Sequence, residues 1–177
     1  MLASSVLAIL GASAVAVRAE GEPHPAKAWR AMTMIDLRLI GPSQSPTARL
    51  WHDRLAASAG PNASRFPPAG RSATAANVVI RSPDVVVMLS ILHADRTCEP
   101  RPVVPEVWRC AMRLVRFDAS GTTIREGTAC FAHGTGRPEA PRAYASYDAS
   151  TRMVRLGVLA GREAVEGCSQ SVPVRGE

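Results

Sequence analysis

Four cysteines constrain the fold of this chain more than any other feature of its sequence. They are Cys98, Cys110, Cys130 and Cys168. An even number of cysteines in an exported chain is typical of disulfides, and four cysteines allow three connectivities. We favour Cys98 with Cys110 and Cys130 with Cys168, because the first pair brackets a short connection between two predicted strands. A bridge that closes so short a loop stabilises by about 3 kcal/mol.

An apolar leader indicates export. Residues 2–17 carry no charge, and their length suits a secretory signal peptide better than a bilayer span, which needs about 20 apolar residues. We expect residues 1–19 to be a signal peptide cleaved after Ala19, and residues 20–177 to form one disulfide-stapled α+β domain. The predicted location is periplasmic or secreted. The alternative is an uncleaved anchor that holds the domain outside the cytoplasm, and a membrane is a partner only in that case.

Net charge does not predict a nucleic-acid partner. The chain has a formal charge of +6, but its basic residues are dispersed and form no basic run or stripe. We therefore expect no nucleic-acid binding.

The first predicted elements after the leader are a strand and a helix. The segment WRAMTMIDLRLIG alternates, which predicts a half-buried strand. Its predicted inner side holds Trp29, Ala31, Thr33, Ile35, Leu37 and Leu39. Next, Ser45 is placed to cap a helix that has Pro46 at its first position and Gly60 beyond its end. Ala48, Trp51 and Leu55 would share one helix face, and residues 61–76 read as a loop rich in Pro, Gly and Ser.

From residue 77 onward the pattern predicts strands. NVVIRS and DVVVMLSILHA are rich in Val and Ile, and two later pairs of strands flank the turns DASG and DAS. Asp118 and Asp148 are expected to accept hydrogen bonds from the amides of their own turns. The predicted fold class is α+β, with one main helix packed on a curved antiparallel sheet of six or seven strands. The alternative is a small β-barrel with a helix across one mouth.

Metal and catalytic signatures are weak. His93, Cys130 and His133 could supply a mixed site for zinc or copper, but paired cysteines are the stronger interpretation in an oxidising compartment. The sequence contains no G-x-S-x-G elbow, H-E-x-x-H motif or S-x-x-K motif. We therefore predict no cofactor and no catalytic residue, and favour a protein that is not an enzyme.

The stretch RTCEPRPVVPEVWRC supplies the candidate binding site. A rigid, proline-containing loop loses little entropy on binding and so suits recognition of a partner. The candidate contact residues are Arg101, Val103, Val104, Val107 and Arg109. Trp108 is expected to pack beside the Cys98–Cys110 bridge. The predicted function is an exported accessory domain that recognises another envelope protein; the alternative is a small-ligand carrier or enzyme with its site in the concave face of the sheet.

Overall fold

A computed structural model describes residues 29–59, 73–94, 98–101, 104–134 and 136–174. The predicted leader lies outside the described residues. The order of elements is β1(Arg30–Ala31), β2(Thr33–Asp36), α1(Pro46–Leu50), α2(His52–Ala59), β3(Ala73–Arg81), β4(Val86–Ala94), β5(Cys98–Pro100), β6(Val107–Asp118), β7(Gly121–Ala132), β8(Arg142–Asp148), β9(Met153–Ala160), β10(Glu163–Ala164) and β11(Gln170–Pro173).

The strands form two antiparallel sheets. The smaller sheet has the order β1-β8-β9-β10, with β11 also pairing β9. The larger sheet has the order β2-β3-β4-β6-β5. Strands β4 and β5 pair with one edge of β6, and β7 pairs with the opposite edge. Apolar residues from both sheets, including Leu89 and Val154, form the core between them. The arrangement is therefore two packed layers of strands.

The predicted fold class is wrong. Strands make up 58% of the structure, the described part has two short helices, and no single main helix packs on one sheet; nor do the strands form the alternative small barrel. The predicted helix is interrupted at Trp51, whose φ of −102° and ψ of 5° end α1 before α2 begins. Ser45 makes no side-chain capping bond, although Pro46 does begin α1 as predicted.

The helices nevertheless bury the face that the sequence predicts. Ala48, Trp51 and Leu55 are buried against the larger sheet, where they contact residues such as Ala75 and Leu92. The helices therefore cover part of the outer face of the larger sheet, the face that points away from the smaller one.

The first predicted strand is divided between the two sheets. Arg30 and Ala31 pair with β8, whereas Thr33–Asp36 pair with β3, and the amide of Met32 between them donates to the carbonyl of Ala143. This crossing changes the predicted alternation: Met32 is buried, and Leu39 is 80% exposed. The predicted loop is also too long, because Ala73–Ala76 belong to β3.

The two predicted hairpin turns are present. In the β6–β7 turn, Asp118 Oδ1 accepts hydrogen bonds from the amide and hydroxyl of Ser120, at 2.8 and 2.5 Å. Asp148 does the same with Ser150, at 3.0 and 2.6 Å. In both turns the carboxylate satisfies turn amides, which is the physical reason that Asp favours this position.

Candidate functional site

Both predicted disulfides form at one end of the molecule, which we call the stapled end. Cys98 and Cys110 are directly opposite each other in the β5–β6 ladder and form one bridge. Cys130 of β7 and Cys168 form the other. All four cysteines are therefore paired in the predicted connectivity, and the structure is compatible with an oxidising compartment.

The candidate binding residues of the stapled end lie in different environments. Val107 is 1% exposed, in a cluster with both cysteines of the second bridge, so it contacts the protein's own interior. Val104 is half-buried against the same cluster. Arg101 Nη2 donates to the carbonyl of Glu166 at 3.2 Å, and this bond links the loop between Cys98 and Cys110 to the segment before Cys168. Arg109 is exposed on β6, and Val103 lies outside the described residues.

Trp108 belongs to a group of four rings at the stapled end. The other members are His93, Phe131 and His133; the centroid of the His93 ring lies 4.9 Å from those of Trp108 and Phe131 and 4.7 Å from that of His133. Trp108 itself is half-buried and packs, with Cys98, against the core between the sheets. The sequence prediction that it lies beside the disulfide is consistent with this placement.

The suggested metal ligands do not form a metal site. His93 and His133 are adjacent, but the sulfur of Cys130 is bonded to Cys168. Burial lowers the pKa of His133, and the negative charge of Glu106 opposes this effect. Among the described residues, no group of three or more His, Cys, Asp or Glu side chains is placed to hold a metal ion.

The outer face of the larger sheet is arranged in rows that the strand register defines. The row Ala75, Leu92, Ala111 and Thr128 lies toward the helices, and the next row is polar: Asn77, Ser90, Arg113 and Glu126. This polar row fixes the helices to the sheet. Trp51 Nε1 donates to Ser90 Oγ at 2.8 Å, and the guanidinium of Arg113 donates to Asp53 Oδ2 and Glu126 Oε1, each at 2.6 Å.

Beyond the polar row, the same face becomes apolar, and its apolar side chains differ in exposure: Met88 and Val115 are buried, at 6% and 2%. The two outer rows are Val79, Met88, Val115 and Ile124, and then Arg81, Val86, Phe117 and Thr122. Three of these apolar side chains are well exposed: Val79 at 37%, Phe117 at 40% and Ile124 at 55%. We call Val79, Val86, Phe117 and Ile124 the apolar patch.

The sequence analysis missed the apolar patch. Strand alternation places Phe117 and Ile124 on one face, but it does not show how far the helices extend over that face. The available signal was the run of apolar residues on both faces of β4 and β6, which is typical of a strand with a layer on each side. The helices supply that second layer over only part of the face.

A cleft lies at the end of the molecule opposite the disulfides. The β3–β4, β6–β7 and β8–β9 turns meet there and enclose about 390 Å³. Its polar lining includes Asp84, Arg116, Asp118 and Arg152, and Tyr147 supplies an aromatic ring. The sequence analysis identified two of these turns but not that they converge.

These features define a disulfide-stapled, two-sheet β protein with exposed apolar side chains on one sheet face and a cleft lined by charged residues. No family model, curated protein or solved structure matches the chain. Among the described residues, no helix is both long and apolar enough to cross a membrane.

Proposed function

We propose that this protein is an exported, non-enzymatic accessory domain that binds another envelope protein through the apolar patch. The observation that carries the proposal is the exposure of Phe117 and Ile124, which are diagonal neighbours on β6 and β7, with Val79 exposed on the same face beyond the buried Met88 and Val115. Exposed apolar side chains that are neighbours, rather than scattered, are characteristic of protein interaction sites. An aromatic side chain in such a patch is the kind of anchor that dominates binding energy.

The surroundings of the patch indicate the chemistry of the partner. Arg81 lies in the same row as Phe117 and has no ion pair with another described residue, and the whole chain carries a net charge of +6. The complementary partner surface is apolar at its centre and acidic at its rim.

The stapled end has a supporting role in this proposal. One disulfide joins β5 to β6 and the other joins β7 to the segment before β11, and β6 and β7 carry Phe117 and Ile124 toward their other ends. A rigid scaffold reduces the conformational entropy that is lost on binding. That Val104 and Arg109 contact the partner directly remains a prediction. Val107 is too deeply buried to contact a partner.

The test compares two substitutions of exposed aliphatic residues. Ile124→Asp places a charge in the patch, and Leu39→Asp places the same charge at a residue that is 80% exposed and outside the patch. Each substitution should change stability by less than about 0.5 kcal/mol, because neither side chain is buried. Partners are captured on the mature domain in its own envelope, identified by mass spectrometry, and measured again with both components purified.

We expect one purified partner to bind the wild-type domain and Leu39→Asp equally, and to bind Ile124→Asp at least tenfold more weakly. Equal binding of the partner by folded Ile124→Asp would contradict the proposal. Sedimentation of the wild-type domain as a dimer and of Ile124→Asp as a monomer would also contradict it, because the patch would then bind a second copy of the chain.

A further inference from the structure

The cleft formed by the three turns shares no residue with the apolar patch, although Arg116 and Asp118 flank Phe117, and polar and apolar groups both line it. A volume of about 390 Å³ lies within the range of small-molecule sites, which is about 300–1,000 Å³. The charged side chains that line it are two arginines, Arg116 and Arg152, and two aspartates, Asp84 and Asp118. Their formal charges cancel, so the cleft has no net charge to attract an anion or a cation.

Part of this lining is held rigidly. Asp118 accepts hydrogen bonds from the amide and hydroxyl of Ser120 and forms an ion pair with Arg116. These hydrogen bonds, of which that from the Ser120 hydroxyl has the largest effect, hold the pKa of Asp118 below its ordinary value. The cleft therefore contains a fixed carboxylate acceptor beside a fixed guanidinium donor.

Arg152 adds a second guanidinium at a strained backbone position. Its φ is 54°, in the left-handed region that glycine adopts far more easily than arginine. The carbonyl of Arg152 accepts a hydrogen bond from the amide of Val174 at 3.0 Å, which holds this conformation. A strained residue with an exposed side chain at a cleft is a reason to look for a function of that side chain.

We propose that the cleft binds a neutral saccharide unit. A sugar hydroxyl donates one hydrogen bond and accepts others, so neighbouring hydroxyls can satisfy a carboxylate and a guanidinium together. Ser82 and Tyr147 also line the cleft and can add hydroxyl groups to this donor and acceptor pattern, and Tyr147 adds an aromatic side chain of the kind that packs against the C–H face of a sugar. The cancelling charges favour this ligand class over phosphates and carboxylates.

The paired hairpin turns provide a matched control for the test. Asp118 and Asp148 both accept hydrogen bonds from the amide and hydroxyl of the serine two residues on, but Asp118 lines the cleft and Asp148 is not part of its lining. Asp118→Asn and Asp148→Asn should therefore perturb their turns similarly and differ in their effect on the ligand. Arg152→Gly removes the second guanidinium and suits the positive φ, so the fold is retained.

The probes are glucose, galactose, mannose, rhamnose, N-acetylglucosamine and their short oligosaccharides, with inorganic phosphate and alanine as competitors of other chemistry. Binding to the intact mature domain is followed by NMR titration up to about 10 mM ligand, which detects dissociation constants in the millimolar range. We expect at least one saccharide to shift the amides of the three turns. Asp118→Asn and Arg152→Gly should weaken that binding at least tenfold, and Asp148→Asn less than twofold.

The absence of saccharide shifts at about 10 mM would overturn the proposal, as would tighter binding of phosphate or alanine than of every saccharide. Equal weakening by Asp118→Asn and Asp148→Asn would also overturn it, since the effect would then be that of the turn and not of the cleft. Ile124→Asp should bind the saccharide normally, so this result is independent of the proposed protein partner.

Discussion

At the scale of single residues, Arg113 shows how a strand position can be misjudged from its pattern. Alternation places it on the outer face of β6, which suggests exposure, yet its side chain is only 8% exposed. The helices cover it: its guanidinium lies 4.7 Å from the ring centroid of Trp51 and donates to the carbonyl of Leu50. Asp53 and Glu126 provide the opposite charges that a buried cation requires.

The same ion pair predicts a pH dependence of stability. Hydrogen bonding from Arg113 is the main cause that lowers the pKa of Asp53 from 3.8 to about 2. Because the pKa is lower in the folded protein, the stabilisation is present above 3.8 and is lost as the pH falls toward 2. Urea unfolding should show that Asp53→Asn loses less stability than the wild type over this range. An identical pH dependence in both proteins would contradict the assignment to Asp53.

Trp108 gives a second prediction at this scale. It is half-buried, with contacts to three rings and to the core, so Trp108→Ala should lower the free energy of unfolding by about 2 to 3 kcal/mol, less than the roughly 3 to 5 kcal/mol of a fully buried tryptophan. Arg109→Ala is the control, because this exposed neighbour should change stability by less than about 0.5 kcal/mol. Urea unfolding measures both. Equal effects of the two substitutions would show that the ring cluster does not stabilise the stapled end.

At the scale of elements, the two disulfides should contribute unequally. Their cysteines are separated by 12 and 38 residues in the sequence. The chain-entropy model then gives about 3 kcal/mol for Cys98–Cys110 and about 4 kcal/mol for Cys130–Cys168. Replacing each pair by alanine and measuring urea unfolding tests the order. A larger loss from the Cys98–Cys110 variant would mean that native-state contacts, and not loop closure, determine the effect.

The elements also show what the sequence could predict and what it could not. The hairpins β6–β7 and β8–β9 and their turns were predicted because Asp118 and Asp148 act locally. The division of the first strand between two sheets was not predicted, because it depends on a crossing at Met32 that local alternation does not record. The helix was predicted as one continuous element over nearly the observed span, but Trp51 leaves helical geometry within an otherwise suitable pattern and divides it into α1 and α2.

The same distinction applies to the candidate sites. The disulfide connectivity followed from a short separation between neighbouring strands, and the structure confirms it. The apolar patch and the cleft each combine residues from strands or turns that are distant in the sequence, such as Val79 with Ile124 and Asp84 with Arg152. Such sites depend on which elements become neighbours, and that is decided by long-range packing.

At the scale of the whole molecule, three tryptophans report on three regions. Trp29 contacts the smaller sheet near Gly157, Trp51 lies in the helix layer, and Trp108 lies at the stapled end. The larger sheet contributes to both the core between the sheets and the core under the helices, through opposite faces of the same strands. Loss of either core would therefore expose one face of β3 and β4, which should make unfolding cooperative.

We therefore predict that all three regions unfold together. Three variants, each of which keeps one tryptophan and has phenylalanine at the other two positions, allow fluorescence to follow one region at a time. Within each variant, the urea midpoint from fluorescence should equal the midpoint from far-ultraviolet circular dichroism, because a two-state transition gives coincident midpoints for every probe. A lower fluorescence midpoint in the variant that keeps Trp51 would contradict this prediction. The helix layer would then detach first, despite the bond from Trp51 to Ser90 and the ion pairs of Arg113.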